Sequence, residues 1–219
     1  MASQNEPARH VASPVYLFIK RIFDIVFSLA VIIIFLPVFV LLAIAIKADG
    51  PEGTVFFRQS RIGKGGRVIR IFKFRSMYAD AHEHPERYLT KEQMKQWQRE
   101  QKVDDDPRIT KIGKFIRKTS IDEFPQFINV LFGDMSIIGP RPVTLEETYE
   151  FGPFRDEVLS VRPGITGWWQ VTDRNDATWE NGRRQELELW YVRHQSLSTD
   201  LKVFFNTFGV MFGSNKTGR

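Results

Sequence analysis

The sequence contains no cysteine in its 219 residues, which excludes thiolate nucleophiles, disulfide frameworks and cysteine-based zinc sites and leaves the redox compartment unread. Histidine is scarce, with only His10, His82, His84 and His194. His82-Glu83-His84 is the one local metal pair these could form, and its polar neighbourhood reads better as solvated chain. Nucleotide fingerprints are missing too. Gly213-Ser214-Asn215-Lys216-Thr217 lacks the glycine a P-loop needs directly before its lysine, and no G-x-G-x-x-G opens a helix. Any nucleotide must therefore be held by other means. Repeats and low-complexity tracts are absent. The length, about one and a half times a typical domain of roughly 150 residues, suffices for a core without staples, as one domain plus an appendage.

Charge is present but unevenly spread. The net charge is +5, from 31 Lys and Arg against 26 Asp and Glu. Arg58, Arg61, Lys64, Arg67, Arg70, Lys73 and Arg75 follow one another without an intervening acid. Such a block either faces an anionic partner (nucleic acid, phosphorylated ligand or anionic lipid) or is a solvated face.

Ile25 to Ile46 is a run of 22 residues without a charge, about 33 Å long as a helix at ~1.5 Å per residue and so long enough to cross a bilayer. Asp24 at its start and its length argue against a cleavable signal peptide. Ser13-Pro14 supplies an N-cap and a first-turn proline, so the helix is expected to begin there. Pro37 deletes a backbone hydrogen bond past the middle. Basic residues flank both ends, Lys20 and Arg21 before and Lys47, Arg58 and Arg61 after, so the positive-inside rule does not vote for opposite sides. The residues leave two arrangements open: a simple span, or a segment that turns at Pro37 and returns to the same face.

Asp49-Gly50-Pro51-Glu52-Gly53 ends the hydrophobic helix. Thr54 to Gln59 and Arg67 to Phe74 are β-prone runs around Gly63-Lys64-Gly65-Gly66 and predict a hairpin. Tyr78 to Lys102 reads as an exposed helix or a connector, ended by Asp104-Asp105-Asp106-Pro107. Ile109 to Lys118 is a short basic amphipathic helix, and Ser120 opens another that Gly133 closes. Leu201, Phe204, Phe205, Phe208, Met211 and Phe212 recur on one helical face, which either packs in the core or lies on lipid.

Three constellations carry chemistry. Ser120-Ile121-Asp122-Glu123 fits a capping box, with acids favoured in a first turn by the helix dipole. It equally fits a pair of carboxylates that divide labour, one attacking phosphorus and one holding Mg²⁺. In Gly139-Pro140-Arg141-Pro142 two prolines stiffen the support of an arginine suited to two-point phosphate contact. Arg162-Pro163-Gly164-Ile165-Thr166-Gly167 repeats the device; each is either a turn or a phosphate site. Trp168 and Trp169 either stack on a base or pack in the core.

Taken in order, these motifs resemble the bacterial sugar transferases of the small monotopic phosphoglycosyl transferase type. The resemblance runs from about Lys20 to Phe205. It includes Lys20-Arg21-Ile22-Phe23-Asp24, Phe57-Arg58-Gln59, Lys73-Phe74-Arg75-Ser76-Met77, Lys118-Thr119-Ser120-Ile121-Asp122-Glu123-Phe124-Pro125-Gln126, the Gly133 to Pro142 stretch and Arg162 to Gly167. It implies transfer of a hexose-1-phosphate from a UDP-sugar to undecaprenyl (polyprenyl) phosphate with release of UMP, the first membrane step of bacterial surface polysaccharide or glycoconjugate assembly. It further implies that Asp122 is the nucleophile and that Glu123 holds Mg²⁺. On that reading the bases around the diphosphate are Lys73, Arg75, Arg141, Arg162 and Arg174. The partners are then UDP-sugar, polyprenyl phosphate and membrane lipid, without nucleic acid, and self-association is left open.

The implied fold is α+β and mostly helical, with a re-entrant helix broken at Pro37, a cytoplasmic catalytic domain holding a small β-hairpin, and amphipathic interfacial helices. Its expected divisions are a flexible N-terminus (1–13), the membrane-inserted helix-break-helix (14–48), the catalytic domain (49–212) and a tail (213–219), at the cytoplasmic face of the bacterial inner membrane. Longer family members carry extra N-terminal membrane helices that this sequence does not show. The 79–106 connector is long, and Asp173 stands where glycine is commoner, so the sugar is not defined. The alternative is a non-catalytic membrane-bound module for anionic lipid or nucleic acid, which explains the basic block and leaves Asp122-Glu123 as a cap.

Overall fold

Pro14 occupies the first position of helix α1 (Pro14–Asp49), and the Leu17 N–H reaches the Ser13 carbonyl at 3.0 Å. The computed structural model describes residues 12–50, 52–100 and 103–212. Most of the expected flexible N-terminus and all of the expected 213–219 tail lie outside the described residues. The 36 residues of α1 would extend about 54 Å at ~1.5 Å per residue, well beyond a ~30 Å hydrocarbon layer. Ile34 and Leu41 are 69% and 67% exposed, so this is a lipid-facing helix and not the buried helix of a soluble core. Among the described residues it is the one helix long and apolar enough to cross a membrane.

The expected break at Pro37 needs correction, because the helix continues through it. Proline removes one N–H, while the other backbone groups of an apolar stretch have nothing but their own helix to pair with, and this keeps the turns on both sides intact. Ser28, the one hydroxyl in the run, does not stand in for the lost donor. It is fully buried and its Oγ has no hydrogen-bond partner.

Strands β1 (Phe56–Ile62) and β2 (Val68–Phe74) pair as the predicted hairpin. Gly65 and Gly66 take φ of +70° and +78° in its turn, which residues with a Cβ adopt at a cost. The remaining elements are α2 (Lys91–Glu100), α3 (Lys111–Lys118), α4 (Gln126–Phe132), β3 (Ser136–Ile138), α5 (Arg155–Val158), β4 (Gly164–Thr166), α6 (Trp168–Thr172), α7 (Arg183–Arg193) and α8 (Leu197–Phe212). Two compact units emerge.

Among the described residues, one unit comprises 12–30, 60–71 and 127–212. Its core gathers Ile69, Ile71, Val130, Met135, Ile137, Ile138, Tyr191 and Val203. The Lys20 to Asp24 motif docks the start of α1 here. Lys20 bridges Asp200 at 2.6 Å, and Arg21 donates to the Val130 and Leu131 carbonyls at 2.7 and 2.9 Å, satisfying the end of α4. Asp24 accepts from the Ser136 hydroxyl at 3.0 Å and the Ile137 N–H at 2.9 Å. Gly133, at φ +82°, ends α4 as the sequence predicts. The apolar face of α8 is divided: Phe204 packs edge-on against Phe23 and Phe27, while Leu201, Phe205 and Phe208 stay exposed. The side chains of Met211 and Phe212 lie outside the described residues.

The other unit comprises residues 31–59 and 72–126. Leu42, Ile46, Phe74 and Ile116 form its core, joined by Phe39, Val55, Ile112 and Ile121. Thr110 caps α3 by accepting the Gly113 N–H at 3.0 Å. A Cβ on Gly113 would collide with the backbone of Ser76, so this close approach requires glycine. Asp49, the last residue of α1, accepts the Ile112 N–H at 2.8 Å. Of the expected connector, the part over 91–100 is α2.

Candidate active site

The turn that carries the two adjacent acids is short and strained. Ser120 has φ +55°, ψ +17°, the left-handed region, and its side chain makes no capping bond. Ile121–Glu123 then form a single 3₁₀ turn, and α4 starts only at Gln126. The capping-box reading fails on this geometry, since a capping serine holds an extended backbone and offers its hydroxyl to the helix. The Glu123 side chain is directed to a base instead, with Lys73 Nζ 2.9 Å from Glu123 Oε1.

Asp122 lies beside that pair. Burial, with the Glu123 charge adding to it, pushes its carboxyl up to about 6 against the pull of Lys73 and Arg117. Arg117, in the last turn of α3, donates from Nε to the Ser76 hydroxyl at 2.8 Å. The expected set of bases did not include Arg117. Its signal in the sequence is its place in the last basic turn, five residues before Asp122. A half-buried carboxylate of raised basicity, with two cations facing it, can attack an electrophilic phosphorus. Phe124, the next residue after Glu123, packs its ring on Phe35 and Phe39 of α1 at centroid distances of 5.1 and 6.1 Å.

The other expected bases are placed differently. Arg75 lies just beyond the end of β2 and its guanidinium is taken up at the end of α1, where it donates to the carbonyls of Ile46, Gly50 and Glu52. It serves there as a helix C-terminal clamp, favoured by the exposed carbonyls and the negative end of the dipole. Arg141, Arg162 and Arg174 are exposed and belong to the unit that contains β3 and β4. Arg162 donates from Nε to the Gly133 carbonyl at 2.8 Å.

The two proline-flanked arginine motifs are brought together by the parallel β3–β4 pair, which has Ser136 opposite Gly164 and Ile138 opposite Thr166. The Gly139 N–H reaches the Thr166 carbonyl at 3.0 Å, and the Gly164 N–H reaches the Pro140 carbonyl at 2.8 Å. A Cβ on Gly139 would strike the 162–164 backbone, and one on Gly164 would strike Gly139. The glycines of both motifs are thus explained by one backbone-to-backbone contact. Trp169 is buried, and Trp168 stacks on Trp190 at 4.3 Å, so both follow the packing alternative.

Asp122 and Glu123 are the carboxylates available to a divalent ion at this turn, and no cluster of three or more metal-ligating side chains occurs among the described residues. Two mutually repelling carboxylates with hard oxygen donors fit Mg²⁺, which takes one or two protein carboxylates and completes its shell with water and substrate phosphate.

Comparisons with known proteins agree with one another. The sequence model of the bacterial sugar transferases matches residues 15–214. The chain is 39% identical over 196 residues to the undecaprenyl-phosphate galactose phosphotransferase of Salmonella typhimurium, covering 89% of this chain and 40% of that protein. It is 37% identical over 195 residues to the UDP-glucose:undecaprenyl-phosphate glucose-1-phosphate transferase of Escherichia coli, covering 86% of this chain and 39% of that one. It is 36% identical over 191 residues to the exopolysaccharide production protein ExoY of Rhizobium meliloti, covering 86% of this chain and 83% of ExoY. The chain therefore spans about two fifths of the length of the first two and most of the third.

Proposed function

Because the chain belongs to the bacterial sugar transferase family, we propose that it transfers a hexose-1-phosphate from a UDP-sugar to undecaprenyl phosphate, releasing UMP. The observation that carries this reading is the Asp122 carboxyl, raised to about 6 on a strained turn whose neighbour Glu123 is held by Lys73. In the first step a carboxylate oxygen of Asp122 attacks the β-phosphorus of the UDP-sugar. The bond from that phosphorus to the bridging oxygen breaks, and UMP leaves with the electron pair. In the second, a phosphate oxygen of the polyprenyl phosphate attacks the same phosphorus, breaks the aspartyl–phosphorus bond and regenerates the Asp122 carboxylate. Two half-reactions let a water-soluble donor and a lipid acceptor use one nucleophile in turn.

Lys73 and Arg117 draw negative charge toward the turn, and Arg141, with Arg162 and Arg174, offers guanidinium forks to the diphosphate. Mg²⁺ bound at Glu123 beside Asp122 would supply neutralisation of phosphate charge. Relatives named for galactose and for glucose support a hexose without deciding which.

Helix α1 is tethered at both ends. Its first turns bind Val130, Ile137 and Asp200, and its last turns bind Arg75 and Ile112. All of these residues follow the helix in the chain. The basic residues flanking the apolar run on both sides, Lys20 and Arg21 before it and Lys47, Arg58 and Arg61 after it, support placing both ends of α1 at the cytoplasmic face of the inner membrane, with the exposed rings of α8 on the same leaflet.

The test uses detergent-purified protein with UDP-glucose, UDP-galactose and UDP-N-acetylgalactosamine, each labelled in the β-phosphate. Without acceptor, one of them should leave label on the protein and release UMP; adding undecaprenyl phosphate should move the label to lipid. Asp122→Asn should abolish both events. Turnover without any protein-bound label excludes the covalent step, and release from none of the donors excludes the function.

A further inference from the structure

Gly139-Pro140-Arg141-Pro142 contains two backbone N–H groups. That of Gly139 goes to β4, and that of Arg141 goes to a side chain on α7, Glu188 Oε1, at 3.2 Å. Glu188 is 1% exposed, and its second oxygen, Oε2, has no hydrogen-bond partner. A spacer at this point would be apolar, because a carboxylate taken from water and left half-paired opposes folding. The cost is accepted for a single bond to the backbone of an exposed arginine.

The surroundings explain how that bond is made rigid. Arg184, one turn before Glu188 on α7 and 7% exposed, lies 4.4 Å from the Trp169 ring and 4.0 Å from the Trp179 ring. The Arg141 guanidinium lies over the same Trp169 ring at 5.7 Å. Arg141 is thereby fixed at both ends, its backbone by Glu188 and its head by Trp169. Arg184 also has Nε and Nη2 without hydrogen-bond partners, which raises the question of a second anion site. The local charge speaks against it: Arg141 and Arg184 are balanced by Glu188 and by Glu147, 3.7 Å from Arg184 Nη2. Glu147 and Glu188 both lower the positive potential around Arg184, which leaves Arg141 as the exposed base of the group.

We propose that Glu188 is a positioning residue, whose buried carboxylate fixes the Arg141 backbone and thereby aims the Arg141 guanidinium at the donor diphosphate. This rests on the reading that Arg141 binds that diphosphate. The bond uses one oxygen lone pair, so an amide oxygen serves as well as a carboxylate, whereas a side chain shorter by one methylene does not reach. Burial, which pushes the Glu188 carboxyl up to about 7, agrees with a role that needs an acceptor more than a charge.

The full-length protein in nanodiscs, titrated calorimetrically with UDP, separates the alternatives. Glu188→Gln should bind UDP within twofold of the unaltered protein. Glu188→Asp should bind it about fivefold more weakly, the scale of one lost hydrogen bond. In an Arg141→Ala background Glu188→Asp should add no further loss. If Glu188 served as a charge beside Arg184, the order would reverse, with Asp normal and Gln impaired, and the proposal would be overturned. Equal UDP affinity in all Glu188 variants, while Arg141→Ala weakens binding, overturns it too and spares the diphosphate reading. An Arg141→Ala protein that binds UDP normally removes both.

Discussion

The Lys73 ammonium bonds Glu123 at 2.9 Å, while the neighbouring Asp122 carboxyl, facing the same base, stays raised to about 6. Lys73 thus treats two adjacent carboxylates differently: one is engaged by the cation and the other is left basic. That asymmetry is what a nucleophile and its assistant need, and it can be disturbed from the Lys73 side. Lys73→Met removes the charge that pulls the Asp122 carboxyl down, so its midpoint should move to higher pH. Arg117→Met should act in the same direction. Carbon-13 NMR of labelled aspartate in metal-free buffer reads the shift, and a downward movement in either variant contradicts the electrostatic picture.

Asp122→Asn should stabilise the protein at neutral and higher pH. The folded-state value of about 6 lies above the ordinary 3.8, so the protonated form is favoured by folding. That stability is fully present below about pH 4 and is lost as pH rises through 6. An asparagine does not ionise and avoids the loss, about 3 kcal/mol at pH 8. Thermal unfolding in EDTA should show a gain at pH 8 that shrinks toward pH 4; a gain that is larger at low pH reverses the sign and refutes the assignment.

Arg75→Gln should lower stability by about 2 kcal/mol, because three carbonyls near the end of α1 lose a charged donor. The affinity of the folded fraction for UDP should be unchanged. A large loss of UDP affinity without loss of stability would return Arg75 to the diphosphate.

Gly164→Ala should unfold the β3–β4 contact at a cost of about 3 kcal/mol or more, since the new methyl meets the Gly139 backbone and not a movable side chain. Gly209→Ala on α8 meets nothing within 4 Å and should be neutral or stabilising. Comparable losses in both would point to a general intolerance and not to the close approach.

Single cysteines at Ser13 and Glu92, positions before and after the membrane helix, should react with an impermeant maleimide from the same side of sealed vesicles. Reaction from opposite sides means that α1 spans.

Much of this organisation is legible in the sequence because it is local. The Gly-rich turn of the hairpin, the α3 segment and the closure of α4 at Gly133 each follow from neighbouring residues. What stayed hidden depends on distant partners. β3 and β4 are three residues each and pair across an intervening stretch, so no alternation announces them. Lys73 and Arg75 look equivalent as alternate residues on one run, yet the strand stops at Phe74 and Arg75 is claimed by carbonyls of α1. Ser120 to Glu123 has the letters of a cap, and only the left-handed serine shows that it is something else. Pro37 reads as a break because the rule comes from helices in water, where freed groups find other partners.

The rings of Phe35, Phe39 and Phe124 fix the altitude of the turn that carries Asp122 and Glu123. They bind the reactive turn to the lipid-embedded helix, so the carboxylates ride at a depth set by how far that helix sinks. On the proposed function, a polyprenyl phosphate diffusing laterally in its leaflet would meet the chain in two dimensions, with its headgroup already near the height of its target and its tail never leaving the hydrocarbon. Changing bilayer thickness should alter the step that uses the lipid and spare the step that uses the nucleotide.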